Sequence, residues 1–397
     1  MFSEEQLDSL MATEASPRYV ISNEPQKIIR GHEDRVAKSV RRTAQVTRKV
    51  VNSSEALFTL ATMSALPNPW TPVIHASYEG ERLLDAVSKD LPEFEEYFPT
   101  NACNPYIELL KRAVKAHPDI IYARQEMEQA QGLEVHALFA RVDGFVQTLR
   151  NAARSKPFIA ELDARRRQCQ KNDASAKKYI NEIFQYRASK NLAVRLDIVC
   201  GSEDPERRGI TSSVNVGQAR KELDRFIRHV REKFPLTGYM GTFEYGALTG
   251  YHFHLLLFFD GHKQWNGPAL GFLLGEVWKN EITEGRGRYF NCNVVKYAEN
   301  GIGMICHYDM AKREVLQKKV VSYLTKSDFW LKFQGTRKTF FRGVMPSEQE
   351  KGATMLAVGR PRKLPELPHD MASERAIEPN RELTLTADIA ATSHFAG

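Results

Sequence analysis

The 397-residue chain holds only five cysteines, Cys103, Cys169, Cys200, Cys292 and Cys306, and no two of them form a Cys-x-x-Cys pair. That excludes a zinc ribbon, and an odd, scattered set suits a reducing compartment better than a disulfide framework. No apolar run approaches the roughly 18 residues that cross a bilayer. The most apolar early stretch, Ala56 to Leu66, is broken by Thr and Ser and stopped by Pro67. The first residues, Met-Phe-Ser-Glu-Glu-Gln-Leu-Asp, are acidic and lack a signal-peptide core, so a cytoplasmic location without membrane attachment is expected. There is no Gly-x-x-x-x-Gly-Lys-Ser/Thr loop, so no ATPase or helicase is written into the chain. There is no His-Glu-x-x-His, which removes the main argument for a zinc hydrolase. No internal repeat is visible.

Acidic residues are in the minority: 49 Asp and Glu against 56 Lys and Arg leave a net charge of +7. The excess points to an anionic partner, nucleic acid first. A hydrophobic content of 42% is enough for packed cores, and the length allows two or three domains.

Residues 1–185 read as mostly helical. After a loose leader comes a basic stretch with Lys27, Arg30, Arg35, Lys38, Arg41, Arg42, Arg48 and Lys49 against Glu33 and Asp34. Two readings stand: a helix lying along a nucleic-acid backbone, or a solvated helix face. Helical spacing is expected over 52–66, 78–92, 105–117 and 120–154, the last with Leu133, Val135, Leu138, Val142, Phe145 and Leu149 in one stripe. A second basic run, Arg165-Arg166-Arg167 and Lys177-Lys178, follows Pro157. Region 1–185 is a candidate DNA-binding accessory.

From residue 191 the pattern changes. Leu192, Val194, Leu196, Ile198 and Cys200 alternate with Ala193, Arg195, Asp197 and Val199, which marks a strand. Leu223, Phe226, Ile227, Val230 and Phe234 mark a helix that Pro235 ends. A hairpin, a helix opened by Pro268, strands over 289–296 and 302–308, and a last helix complete the order. This predicts an α+β fold close to the split βαββαβ of ferredoxin-like proteins, an antiparallel sheet with helices on one face and the other left open. The expected division is 1–185, 186–345, and a disordered tail 346–397 that carries the basic Arg360-Pro361-Arg362-Lys363.

The chain centres on the hairpin of residues 238–260. Strand side chains repeat every two residues, so His252 and His254 share a face, roughly 6–7 Å apart. With Gly246 opposite Gly250 the loop is Ala247-Leu248-Thr249, and Glu244 faces His252 with Cβ atoms about 4.5–5.5 Å apart. Two imidazoles and a carboxylate on one patch suit a catalytic divalent metal. A lone strand His is usually structural; a His-x-His pair with a register-matched Glu is less often so. Downstream, Tyr323 and Lys326 lie three apart on one helical face. A tyrosine that is helped to ionise can act as a covalent nucleophile, and a neighbouring lysine can hold a phosphate. Tyr308, in Tyr308-Asp309-Met310-Ala311-Lys312, is a competing nucleophile at a strand end.

His252-Phe253-His254 followed by Tyr323-Leu324-Thr325-Lys326 resembles the HUH endonuclease superfamily, single-tyrosine branch. The wording Gly-Tyr-His-Phe-His-Leu-Leu-Leu-Phe-Phe with Tyr-Leu-Thr-Lys-Ser-Asp is most similar to inovirus-type replication-initiation proteins of filamentous phages and prophages, over about residues 186–345. The resemblance implies Mg or Mn on Glu244, His252 and His254, with Tyr323 as nucleophile and Lys326 beside it. It implies nicking and joining of single-stranded DNA at a rolling-circle origin through a 5′-phosphotyrosine. A separate helicase and a host polymerase would then be partners, in a bacterial cytoplasm. Alternatives are a transposase or relaxase of the same superfamily, or a non-catalytic DNA-binding replication regulator.

Overall fold

The computed structural model describes residues 4–11, 20–21, 28–29, 31–63, 71–201, 214–336 and 338–348. The expected tail, with its basic cluster at 360–363, falls almost wholly outside the described residues, as does most of the leader and the basic pair Lys27 and Arg30.

The N-terminal part is built on α1 (His32–Asn52), α2 (Pro105–Ala116), α3 (Leu133–Ala153) and α4 (Lys156–Glu182). Ser155 caps α4 by accepting a hydrogen bond from the Phe158 amide, with Pro157 in the first turn where no amide donor is missed. Val36, Val40 and Ala44 of α1 meet Ile107 and Leu110 of α2 and Val142, Phe145 and Leu149 of α3 in one core. Two expectations need correction here. Residues 52–66 are not a helix throughout: α1 ends at Asn52, and Phe58–Met63 is a strand paired with Thr71–Ala76. The β-branched Thr59 and Thr62 favour a strand, and all six residues find partners one for one in Thr71–Ala76. The single helix expected over 120–154 divides at Gly132, whose φ of +58° lies in the left-handed region that ends helices.

The rest of the chain forms β1 (Lys190–Val199), α5 (Val216–Lys233), β2 (Leu236–Gly246), β3 (Gly250–Asp260), α6 (Gly267–Glu276), β4 (Arg288–Asn291), β5 (Gly303–Cys306), α7 (Ser322–Trp330) and β6 (Phe340–Arg342). All pairings in the sheet are antiparallel. The strand order is β5–β1–β3–β2–β6, and β4 lies end to end with β5 along the same edge of β1. The hairpin register is the expected one: Glu244 opposes His252, Tyr245 opposes Tyr251 and Gly246 opposes Gly250.

One face of the sheet carries Val194, Leu196 and Ile198 of β1 and Phe253, Leu255 and Leu257 of β3. It packs on α5 and α6 and the turn after α6 through Phe226, Val230, Leu274 and Trp278. The expectation of an open second face does not hold. Met240, Leu256 and Phe258 on that side are covered by Tyr179 and Ile180 of α4, by Ile183 and Phe184 just after it, and by Leu316, Val320, Val321 and Leu324. The reason is in β3 itself, whose Leu255 to Phe259 run is apolar on both sides and needs cover on both.

The expected boundary near 185/186 is crossed by shared packing. α4 gives Phe158, Leu162 and Cys169 to the N-terminal core and Ala176, Tyr179 and Ile180 to the sheet. In the other direction, Phe329, Trp330 and Leu331 enter the N-terminal core, and Leu331–Phe333 pairs with Asn101–Cys103. Trp330 is 1% exposed. Trp330→Ala is expected to cost about 3–5 kcal/mol. Urea unfolding followed by circular dichroism should show one transition displaced as a whole; two transitions, only one of them moved, would mean that the cores unfold independently.

Candidate metal centre

β3 is the middle strand of the sheet. Its even positions on the α4 side carry His252 and His254 beside Leu256 and Phe258. Opposed residues share a face, so each rung of the sheet can be read across. His254 lies between Asp197 of β1 and Thr242 of β2, and His252 between Val199 and Glu244. Asp197, Glu244, His252 and His254 are each between 2% and 6% exposed.

Glu244, His252 and His254 each offer one ligand atom, all within 4.8 Å of one another. Both imidazoles present Nε2 to the same carboxylate oxygen: His252 at 3.6 Å and His254 at 3.8 Å from Glu244 Oε2. The far nitrogen of each ring is also held. His252 Nδ1 is 3.0 Å from the Gly250 carbonyl, which can only accept, so Nδ1 carries the proton and Nε2 is left with a lone pair. His254 Nδ1 is 2.9 Å from Asp197 Oδ1, close to the carboxylate but off the line of a straight hydrogen bond. Two imidazole nitrogens and a carboxylate that converge, with oxygen acceptors behind the rings, fit a divalent cation.

Tyr323 comes to this patch from α7. A wide π-helical turn, Leu316–Val321, precedes α7 and leads into it without a break. The Tyr323 hydroxyl is 3.2 Å from His254 Nε2, and the two rings meet edge to face with centroids 5.2 Å apart. With the His254 proton on the nitrogen that faces Asp197, Tyr323 is the donor. The Arg195 guanidinium lies 4.4 Å from the centre of the Tyr323 ring, and its Nη2 is 3.6 Å from Asp197 Oδ2.

Asp197 and Arg195 are the site residues that sequence reasoning misses. The available signal is two charges at alternate positions of an otherwise apolar strand, which puts both on one face; what the sequence does not show is the β1–β3 register that sets Asp197 beside His254. Lys326, one turn beyond Tyr323, makes no ion pair or hydrogen bond among the described residues, and its charge acts instead on Cys169 of α4. Tyr308 is 67% exposed and stands at the other end of the sheet. Cys306 pairs with Lys190, seven residues before Asp197 on β1, which is about 23 Å of strand. A contact with Cys306 also holds the Tyr308 hydroxyl above its ordinary pKa, which disfavours ionisation. Behind Asp197, burial pushes the Cys292 thiol well up, and the nearby Asp197 charge adds to this, so Cys292 stays neutral.

Of the two basic stretches, much is already paired inside the protein. Lys38 meets Asp34, Arg48 meets Asp8 and Lys49 meets Glu79. Arg165 donates to the backbone carbonyls of Asp328 and Cys103, and Lys177 pairs with Asp173. Of these, Arg165 ties α4 to buried backbone, while the exposed lysine pairs add little to stability.

The tip of the hairpin is gripped by the N-terminal part. Glu33 of α1, 2% exposed, accepts from the Leu248 amide at 3.0 Å and from the Thr249 hydroxyl at 3.5 Å. Gly250 adopts φ +65°, the conformation that lets the chain return as β3. A Cβ at Gly246 would come within 1.8 Å of Glu33 Oε1, so glycine there makes room for the grip. Glu33→Ala should therefore cost about 1–3 kcal/mol, since it leaves a buried amide without its charged acceptor. Amide exchange at Leu248 should accelerate markedly; unchanged protection would mean that the strands alone hold the loop.

No family model, no curated protein and no solved structure matches the chain.

Proposed function

We propose that the chain is a metal-dependent endonuclease that nicks and rejoins single-stranded DNA through a covalent tyrosine, the chemistry of rolling-circle initiation that its HUH resemblance implies. The observation that carries this reading is the Tyr323 hydroxyl 3.2 Å from His254 Nε2, at the edge of a patch built by Glu244, His252 and His254. The strand order β4–β1–β3–β2, with α5 and α6 as crossovers on one face, supports a ferredoxin-like core of the HUH kind.

Glu244, His252 and His254 would hold Mg or Mn, and such an ion supplies Lewis-acid polarisation of a phosphate oxygen. The remaining work belongs to the side chains. Tyr323 Oη forms a bond to phosphorus as the bond from phosphorus to the 3′ oxygen breaks. The phenol proton is balanced by the new 3′ hydroxyl, and the 5′ phosphate stays on the tyrosine. One phosphodiester replaces another, so a later 3′ hydroxyl can reverse the step and join strands. Arg195 over the ring favours the phenolate by its positive charge. Arg195 is the cation in contact with the ring, and Lys326 is left to hold the DNA phosphate, the role its place beside Tyr323 suggests. Asp197 positions both His254 and Arg195. With no nucleotide-binding loop in the sequence, unwinding falls to a separate helicase.

Incubation with labelled origin oligonucleotides and Mn, followed by a denaturing gel, tests the class. Wild type is expected to give a covalent protein–DNA band and Tyr323→Phe none, while Tyr308→Phe keeps it; a nucleotide found by mass spectrometry on Tyr308 would overturn the assignment. Because the Nε2 lone pair of His254 serves either a phenol or an ion, Tyr323→Phe should bind Mn at least as tightly as wild type.

Asp197→Ala is expected to weaken Mn binding about 10–100-fold by releasing the His254 ring. Calorimetric titration of chelator-treated protein reads this directly, and an unchanged affinity would remove Asp197 from the site.

A further inference from the structure

A second basic feature lies beside the candidate metal centre, and the paired basic runs of the sequence do not account for it. A cavity of about 520 Å³ runs along the open edge of the sheet, where β6 is the last strand, between α4 and α5. Five cations line it: Lys171, Arg220, Lys332, Lys338 and Arg342. Among the described residues, none of the five has a carboxylate within ion-pair distance. The one acid in the lining, Asp328, is 5% exposed, takes a hydrogen bond from Thr339, and is pushed toward its neutral form mainly by burial. Unpaired charge of one sign around a concave surface is costly to keep unless an anion shares the space.

The groove is also the wrong shape for a single ion. It adjoins a second cavity of about 680 Å³, and Gln168 and Lys332 line both. Half-buried Phe340 and Phe341 form part of its wall, and apolar rings between cations are what a chain of bases and phosphates requires. Its place follows from the sheet. His254, Thr242 and Phe340 oppose one another on three neighbouring strands, so the groove starts about 10 Å from His254.

We infer that this groove binds the phosphate backbone of a DNA single strand flanking the phosphate that is presented to Tyr323. The inference rests on the proposed DNA-nicking function and adds to it a second contact surface with its own residues. Arg220 and Arg342 are partly committed to the fold: Arg220 donates to the Lys338 carbonyl, and Arg342 donates to Ser175 and to the Gly343 carbonyl. The side chains of Lys171, Lys332 and Lys338 make no hydrogen bond among the described residues, so they are the cations left for phosphates.

The test is binding of a fluorescent mixed-sequence oligonucleotide in chelator, where nothing is cut, over a range of salt. The protein compared with wild type carries Lys171→Ala, Lys332→Ala and Lys338→Ala together. Each lost phosphate contact should reduce the steepness of log affinity against log salt by about 0.7, so the triple variant should be shallower by about 2 and weaker at every salt concentration below the crossing point. Thermal unfolding of the variant checks that the fold is kept, and Lys171→Arg with Lys332→Arg and Lys338→Arg should restore the wild-type slope. A variant that keeps the full slope while wild type binds DNA overturns the groove and leaves the nicking function standing. A wild type that binds no single strand overturns both. An equal loss for duplex and single strand would overturn the assignment to single strands.

Discussion

Burying a charge without partners is among the most expensive things a fold can do, and here four titratable groups share one buried patch. Asp197, Glu244, His252 and His254 are tolerable inside the sheet only because each faces another across a rung. That fixes the register on both sides of β3 at once. A slip of one residue would carry both imidazoles to the α5–α6 side, among Phe226 and Trp278, and would put Phe253 among the carboxylates. The apolar residues of β3 and its polar ones therefore enforce the same alignment. The Glu33 grip on the loop adds a third constraint at the tip, where strand pairing is weakest.

The cover over that face changes how the site is to be pictured. An open sheet would meet DNA broadside. With α4 and α7 packed across it, the carboxylate and the imidazoles are interior, and the half-buried side chains next to them are Tyr323 and Arg195. On the proposed reading, DNA would come in past the tyrosine rather than straight onto Glu244, His252 and His254. The dry surroundings strengthen every electrostatic contact made there, including that of Arg195 with the ring.

Much of the site is legible in the sequence because it is local. A hairpin's register follows from its turn, so Glu244 opposite His252 can be read from Gly246 and Gly250 alone. Tyr323 can be marked as a nucleophile only through resemblance, since a Tyr three residues before a Lys means little by itself. Asp197 and Arg195 are out of reach for a physical reason: β1 lies about fifty residues before β3, and nothing between them states their alignment. The same holds for the second face. The apolar run Leu255 to Phe259 implies burial on both sides, but the helix that provides it, α4, belongs to the N-terminal region by its place in the chain. Phe58–Met63 reads as helix because Leu60, Ala61 and Met63 are good helix formers, and the strand shows only once the partner at Thr71–Ala76 is known.

The helix that delivers the tyrosine also ties the two parts of the molecule together. Tyr323 and Trp330 are seven residues apart in α7, two turns along one side of the helix. At one end the Tyr323 hydroxyl meets His254; at the other Trp330 is buried in the N-terminal core. Between them the Thr325 hydroxyl contacts Asp173 of α4 at 3.4 Å. α7 is the end of a helical run that begins at Met310, and it takes its position from α4, along which it packs, and from the sheet beneath Val321 and Leu324. α4 and the sheet together hold α7, and with it the 3.2 Å from the Tyr323 hydroxyl to His254. Apart from Lys171 in the groove, many basic side chains of the N-terminal region are paired within the protein, and that region also holds, through Glu33, the hairpin that carries all three candidate ligands.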